Sequence, residues 1–273
     1  DGPGQTFRDE LYGEYKANRE AMPQDLAAQI PRVMELLESF RIPVVSHPGL
    51  EADDVIASIT RKVLADPEMQ DVRIRIVSKD KDLEQLLCDR VTLYDVQKDE
   101  EVDVAGLWAT KGIRPDQVID LLALTGDTAD NVPGVPGIGL KTAAKLIQDF
   151  GSLDGILANL DAIKGKRRES LEASREILAL SRQLVTLRAD ADIPLAWEAA
   201  RVGALDLARL LHLFRQLGFR RYQEEARRLA GRLGSVSVAD EADVAGGEAV
   251  AGRDVAAGGE AALAVGAEYM TGS

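Results

Sequence analysis

The chain has 273 residues, 45% of them hydrophobic and 29% charged, which supplies a sizeable core for one large domain or two small ones. No apolar run approaches the ~18 residues of a membrane span, and Asp1-Gly2-Pro3-Gly4 has neither the basic nor the apolar region of a signal peptide, so no membrane partner is expected. The net charge of −13, taken alone, argues against nucleic acid as a partner, yet residues 235–273 alone carry −6, leaving −7 on the remainder. The lone cysteine, Cys88, excludes an internal disulfide, fits a reducing cytoplasm, and reads as a small core residue beside Leu86 and Leu87.

In chain order, residues 5–41 read as largely helical, interrupted at Pro23 and Pro31. Pro43-Val44-Val45-Ser46-His47 reads as a short strand. Glu51 to Leu64 reads as a helix with Val55, Ile56, Ile59 and Val63 on one face. Val72 to Val77 alternates with period two and reads as a strand, Leu83 to Leu87 as a short helix, and Val91 to Val96 as another strand. Strands separated by helices imply an α/β body with a mainly parallel sheet, whose ligands bind beyond the carboxyl ends of the strands. After residue 130 the apolar spacing is helical over Leu140 to Phe150, Leu153 to Leu160, Arg168 to Leu187 and Leu205 to Leu217. The Ala-, Gly- and acid-rich residues 235–273 read as a disordered linker. The expected domains are therefore 1–130, 131–234 and 235–273.

Four acidic segments punctuate this layout: Asp1; Glu51-Ala52-Asp53-Asp54; Asp80-Lys81-Asp82; and Asp127-Thr128-Ala129-Asp130. Glu51 and Asp54, and likewise Asp127 and Asp130, are spaced i, i+3, which presents both on one face of a helix start. Acids at helix starts also cap free N–H groups, so Glu51 or Asp127 alone reads more readily as a cap than as a ligand. One parallel sheet would gather all eight carboxylates at one edge. Two unit charges ~4 Å apart repel by ~4 kcal/mol at an effective dielectric of ~20, so such a group needs cations or protons. Oxygen-only ligands select hard ions such as Mg²⁺ or Mn²⁺, and with only His47, His212 and Cys88 a zinc site of the His/Cys kind is not expected. Two such ions suit phosphodiester hydrolysis, one activating water and the other stabilising the leaving oxygen.

The segment Asp130 to Ala143 holds Pro133-Gly134-Val135-Pro136-Gly137-Ile138-Gly139, a turn that opens a helix carrying Lys141 and Lys145. Its glycines let backbone N–H groups approach a phosphate, as in a helix–hairpin–helix that grips a DNA backbone; an ordinary tight connection is the alternative. The spacing is not that of a Walker loop. Phe7-Arg8 and Tyr15-Lys16-Ala17-Asn18-Arg19 interleave aromatics with bases. Lys164-Gly165-Lys166-Arg167-Arg168, with Arg175 and Arg182, is a second basic stretch, equally readable as a solvated face.

Asp1 to Arg8, Tyr15 to Arg19, Leu50 to Asp54, Ser78 to Leu83 and Leu124 to Gly139 together resemble the 5′ nuclease domain of bacterial DNA polymerase I, a branch of the flap endonuclease superfamily, over about residues 1–232. The resemblance implies a PIN-like body with a helical arch, followed by a helix–three-turn–helix module. It implies 5′→3′ exonuclease and flap-cutting activity, in primer removal and repair, on DNA with 5′ flaps, nicks or RNA primers, by a bacterial, nucleoid-associated monomer. By motif, Asp1, Glu51, Asp53 and Asp54 are similar to ligands of a first metal, Asp80 and Asp82 to shared ligands, and Asp127 and Asp130 to ligands of a second. Lys16, with Asp80, takes the catalytic place at the scissile phosphate; Tyr15 resembles an aromatic near the unpaired end, and Arg8 and Arg19 resemble arch bases. Gly134, Gly137, Ile138, Gly139, Lys141 and Lys145 resemble a duplex-phosphate site that also takes K⁺. The family begins with a further strand and one more aspartate, so the chain is expected to be N-terminally truncated; whether a polymerase domain follows or the nuclease stands alone is left open by the sequence. A DNA-junction-binding fragment without catalysis, and a two-metal phosphatase for small esters, are the competing readings.

Overall fold

A computed structural model describes residue 2 and residues 4–203 and 205–234. In chain order its elements are α1 (Phe7–Leu11), α2 (Gln24–Ala27), α3 (Ile30–Ser39), α4 (Ala52–Ala65), β1 (Ile74–Val77), β2 (Val91–Asp95), β3 (Glu100–Val102), α5 (Val104–Lys111), α6 (Val118–Thr125), α7 (Leu140–Phe150), α8 (Leu153–Ala158), α9 (Lys166–Ala173), α10 (Arg175–Val185), α11 (Leu207–Gln216) and α12 (Arg220–Arg232). Short 3₁₀ turns intervene, the most important being Lys81–Leu86 after β1.

Two compact units form, and neither is a continuous stretch. The first combines residues up to Glu20 with Ser46 to Ile193; the second combines Ala21–Val45 with the described residues from Pro194 onward. The boundary read from sequence at 130/131 does not divide them. The reason is α6: Leu121, Leu122, Ala123 and Leu124 are all buried, as is its one acid, Asp120, so this helix is buried on every side, and it packs against both α7 and α10. One core therefore runs from Ile76 and Leu93 in the sheet through α6 to Leu178 and Leu184 in α10.

The sheet of the first unit is small and mixed, in the order β1-β2-β3. β1 and β2 are parallel, with Ile74 opposite Val91 and Val77 opposite Tyr94; β2 and β3 are antiparallel. The α/β class holds. The 43–47 segment is not a strand: it has no ladder partner among the described residues, Pro43 offers no N–H, and Val44 is half exposed. The helix read over Arg168 to Leu187 is two helices, broken at Ser174. Pro31 does not interrupt a helix but starts α3, where a proline costs nothing because the first N–H groups have no partner anyway.

In the second unit α3, α11 and α12 enclose Leu36, Phe40, Leu210, Phe214 and Ala226. Ser39 C=O accepts from Asp206 N–H at 2.9 Å, joining the two separated stretches of chain. Among the described residues no helix is long and apolar enough to cross a membrane. The 235–273 segment and Asp1 lie outside the described residues.

Candidate active site

Three loops of the first unit carry the acids: the start of α4, the turn after β1 and the loop after α6. Glu51 is the N-cap of α4 and forms a reciprocal capping box with Asp54. Asp54 is fully buried and accepts from Arg8 Nη1 (2.7 Å), Arg8 Nη2 (2.9 Å), Arg188 N (2.8 Å) and Glu51 N (3.1 Å). These fill the roughly four lone-pair sites of a carboxylate. Arg8 is 1% exposed and also donates to the carbonyls of Leu184 (2.7 Å) and Thr186 (3.2 Å). The expectation that Arg8 faces DNA is corrected: its guanidinium pins α1 to α4 and to the end of α10, because a buried Asp54 needs a bidentate cation.

Glu51 collects three donors: Lys16 Nζ at 2.5 Å, Tyr15 Oη at 3.1 Å and Arg8 Nη1 at 3.3 Å. Tyr15 is buried, and its hydroxyl also lies 3.3 Å from Asp130 Oδ2. Burial, then the charges of Glu51 and Asp130, push its pKa up, so the phenol stays protonated as a donor. Tyr15 is thus an internal strut and offers no ring face to a nucleic acid. Lys16 stands in the left-handed region at φ 54°, an uncommon place for lysine, and its N–H donates to Asp130 C=O at 3.0 Å. Arg19 pairs with Asp130, and Asn131 Nδ2 donates to Glu14 C=O at 2.6 Å, so the loop around Lys16 is laced to the loop around Asp130.

Asp127 and Asp130 do not start a helix, contrary to the i, i+3 reading. They sit on a tight loop closed by paired backbone bonds between Asp127 and Val132 (2.9 and 2.7 Å). The loop closes because Gly126 and Gly134 touch backbone to backbone. A Cβ on Gly134 would lie 2.4 Å from the Thr125 carbonyl, and one on Gly126 would lie 2.5 Å from Gly134 N. Gly134 therefore shapes the acidic loop. Gly137 (φ 81°) and Gly139, the N-cap of α7, do face open space, whereas the Ile138 side chain is buried in the core. Lys141 and Lys145 are exposed on α7, Lys145 paired with Asp149.

The turn after β1 behaves differently. Asp80 caps the 3₁₀ turn by accepting Asp82 N at 3.0 Å, and Gln85 ties that turn to the carbonyl of Val185. Asp82 Oδ1 is buried and has no hydrogen-bond partner among the described residues. Burial, then the charge of Asp80, push Asp82 up to about 7. Burial, then Asp80 and Glu51, push Asp53 up to about 6. Burial also pushes Asp127 upward, but the hydrogen bond from Lys81 (2.8 Å) and that from Ala129 N–H outweigh it and leave Asp127 below the ordinary range. Asp53 thus feels Asp80, Glu51 and Asp54, while Asp82 feels Asp80, Asp127 and Asp130: seven of the acids picked out in the sequence share one electrostatic neighbourhood. Lys81 was given no role from sequence, although its place between two acids was the available signal; Arg188, which also covers Phe7 at 4.3 Å, had none.

Residues 1–112 match the 5′-3′ exonuclease N-terminal resolvase-like domain, and residues 113–208 match the 5′-3′ exonuclease C-terminal SAM fold. The chain belongs to the 5′-3′ exonuclease family. Relatives of this family member include the DNA polymerase I of Rhizobium leguminosarum, 42% identical over 73% of this chain and 19% of that protein. The thermostable DNA polymerase I of Thermus aquaticus is 41% identical over 80% of this chain and 26% of that protein. The chain thus spans about a fifth to a quarter of the length of these relatives. In fold it resembles the flap endonuclease of bacteriophage T5, solved as a pseudo-enzyme–product complex with DNA and metal ions, with a TM-score of 0.57, 23% identity, and coverage of 83% of this chain and 80% of that one.

Whether this member's own residues fit divalent cations is tested by the donors. The set is all carboxylate, which suits hard ions. Asp82 Oδ1 is an orphaned buried acceptor, and Asp53 and Asp82 hold more negative charge nearby than their neighbours neutralise. Against this, among the described residues no three His, Cys, Asp or Glu side chains stand together closely enough to hold an ion as they are. Lys16, Arg19 and Lys81 occupy Glu51, Asp130 and Asp127 instead. The donor chemistry fits; the present side-chain arrangement is one in which ammonium and guanidinium groups supply the cations.

Proposed function

We propose that this chain is the 5′ nuclease part of a DNA polymerase I-type protein. It hydrolyses phosphodiesters of DNA with Mg²⁺ or Mn²⁺, as a 5′→3′ exonuclease and a flap endonuclease in primer removal and repair, with a polymerase domain following it. The observation that carries this reading is the convergence of Glu51, Asp53, Asp54, Asp80, Asp82, Asp127 and Asp130 on the carboxyl end of β1, with one buried carboxylate oxygen left unpartnered.

Bound divalent cations would supply charge to the phosphoryl oxygens and make water a nucleophile at neutral pH. The groups proposed to hold them are Asp53, Asp80 and Asp82, with Glu51, Asp127 and Asp130 as carboxylates released from Lys16, Lys81 and Arg19. Asp54 is proposed as the anchor that fixes the start of α4 rather than as a ligand, because its acceptor sites are full. Lys16 is proposed to leave Glu51 and meet the scissile phosphate; Tyr15 then keeps Glu51 in place by its hydroxyl. The exposed backbone at Gly137 and Gly139, with Lys141 beside it, is proposed to hold a duplex phosphate and a K⁺ ion.

The test is release of a labelled 5′ flap by the chain in Mg²⁺ and in EDTA. Metal-dependent cutting lost in Asp82→Asn supports the reading. Flap binding without cutting in any divalent metal would assign the chain to junction binding alone, and turnover of nitrophenyl phosphate without DNA affinity would make it a small-ester phosphatase.

A further inference from the structure

The basic stretch visible in the sequence after residue 164 is partly spent on acids: Arg168 pairs with Asp161 at 2.8 Å, and Arg182 pairs with Asp120 at 2.8 Å and Asp154 at 3.1 Å. The helix α12, which begins after the last residue matched by either family model, is different. At about 100° per residue, Arg220, Arg221, Arg227, Arg228 and Arg232 fall within one arc of roughly 140°. All five are exposed, and the opposite side buries Ala226 and Ala230. Arg221 pairs with Glu225 at 2.9 Å; among the described residues the other four have no acid partner. In a chain of net charge −13, an arc of five arginines against Glu224 and Glu225 is a local reversal of sign.

We infer that the arginine face of α12 binds the phosphate backbone of duplex DNA, an inference that rests on the nuclease reading above. Charge complementarity selects a polyanion, and the guanidinium fork suits phosphate. From Arg220 to Arg232 the row is about 18 Å long, about half a turn of B-DNA. Its rigidity matches a duplex better than a single strand. A single-strand site interleaves cations with stacking rings, whereas Phe219 and Tyr222 sit together at one end of the row and pack on Phe214 at 6.2 and 5.9 Å between centroids. Backbone contacts of this kind position DNA without reading its sequence.

The experiment is fluorescence anisotropy of a labelled blunt duplex in EDTA, across a salt series, for the chain and for the Arg220→Ala/Arg227→Ala/Arg228→Ala variant. These are exposed helix positions where alanine is a good helix former, so an unchanged melting curve is expected. The variant should bind about tenfold more weakly, with a log–log salt slope shallower by about 2 to 3, since each phosphate contact contributes about 0.9. Flap cutting at saturating DNA should be unchanged, the loss falling on KM. Equal affinity and slope would overturn the inference while leaving the nuclease reading intact. A chain that neither binds duplex in EDTA nor cuts in Mg²⁺ would overturn both.

Discussion

Glu51 and Asp54 stand three residues apart at the start of a helix, and Asp80 and Asp82 stand two apart at the end of a strand. In sequence the two pairs read alike, as acids at an element boundary. In the fold they have opposite electrostatic situations. Glu51 and Asp54 are buried with Arg8, Lys16 and Tyr15 as donors, so their charge is matched from within the protein. Asp82 keeps a buried oxygen with no partner among the described residues, and it and Asp53 are driven up by burial and by Asp80. We propose that the difference separates a scaffold carboxylate, Asp54, from working ones: the acceptor sites of Asp54 are filled by donors that stay, Asp82 is left short, and Glu51 joins the working acids once Lys16 leaves it.

Removing a donor from the satisfied pair should have the largest effect. Arg8→Met should destabilise the chain by about 3–5 kcal/mol in urea unfolding, because it leaves Asp54 charged, buried and unpaired. A loss under about 1 kcal/mol would mean that Asp54 is not held as a scaffold. The complementary change is Asp82→Asn. It removes a charge the protein does not match, so stability should hold or rise, while metal-dependent cutting falls by about 100-fold. Gly134→Ala should cost about 1–3 kcal/mol by forcing its Cβ against the Thr125 carbonyl, and it should lower activity because the loop bearing Asp127 and Asp130 must shift.

The smallest effect is in pH. Asp53 and Asp82 have folded pKa values of about 6 and about 7, above the ordinary aspartate value of 3.8, so the native state holds these protons more tightly than the unfolded chain does. Their contribution to stability is complete below about pH 4 and is lost as pH rises through 6 and 7. In EDTA the melting temperature should therefore decline between pH 5 and pH 8 by a few degrees. Mg²⁺ should restore it at pH 8 and do little at pH 5. Equal stabilisation by Mg²⁺ at both pH values would contradict the assignment of these two acids.

Much of this was legible before the fold was known. The helix over 52–65, the strands at 74–77 and 91–95 and the helix over 140–150 follow from apolar period alone. The acidic segments are visible as spacing, and the family is visible in the order of the motifs. What spacing could not reveal was which acid is satisfied. That depends on Arg8, 46 residues from Asp54 in sequence, and on the Arg188 backbone N–H, 134 residues away. The i, i+3 pair at Asp127 and Asp130 misled because Gly126 and Gly134 fold that segment into a closed loop, a contact between backbones with no side-chain pattern to announce it. The sequence boundary at 130/131 cuts helices 131–193 from the sheet body, whereas in the fold they share its core through α6, a helix buried on every side. The strand read at 43–47 has no ladder partner among the described residues, which no local property of Val44 and Val45 records.

Asp53, Asp80 and Asp82 are proposed as the under-matched acids that take divalent cations. Mn²⁺ binding followed by electron paramagnetic resonance at pH 8, without DNA, tests it apart from turnover. The account predicts saturable binding by the chain that is weakened by about 10- to 100-fold in Asp82→Asn. Mn²⁺ binding of equal strength in the chain and in Asp82→Asn would contradict it.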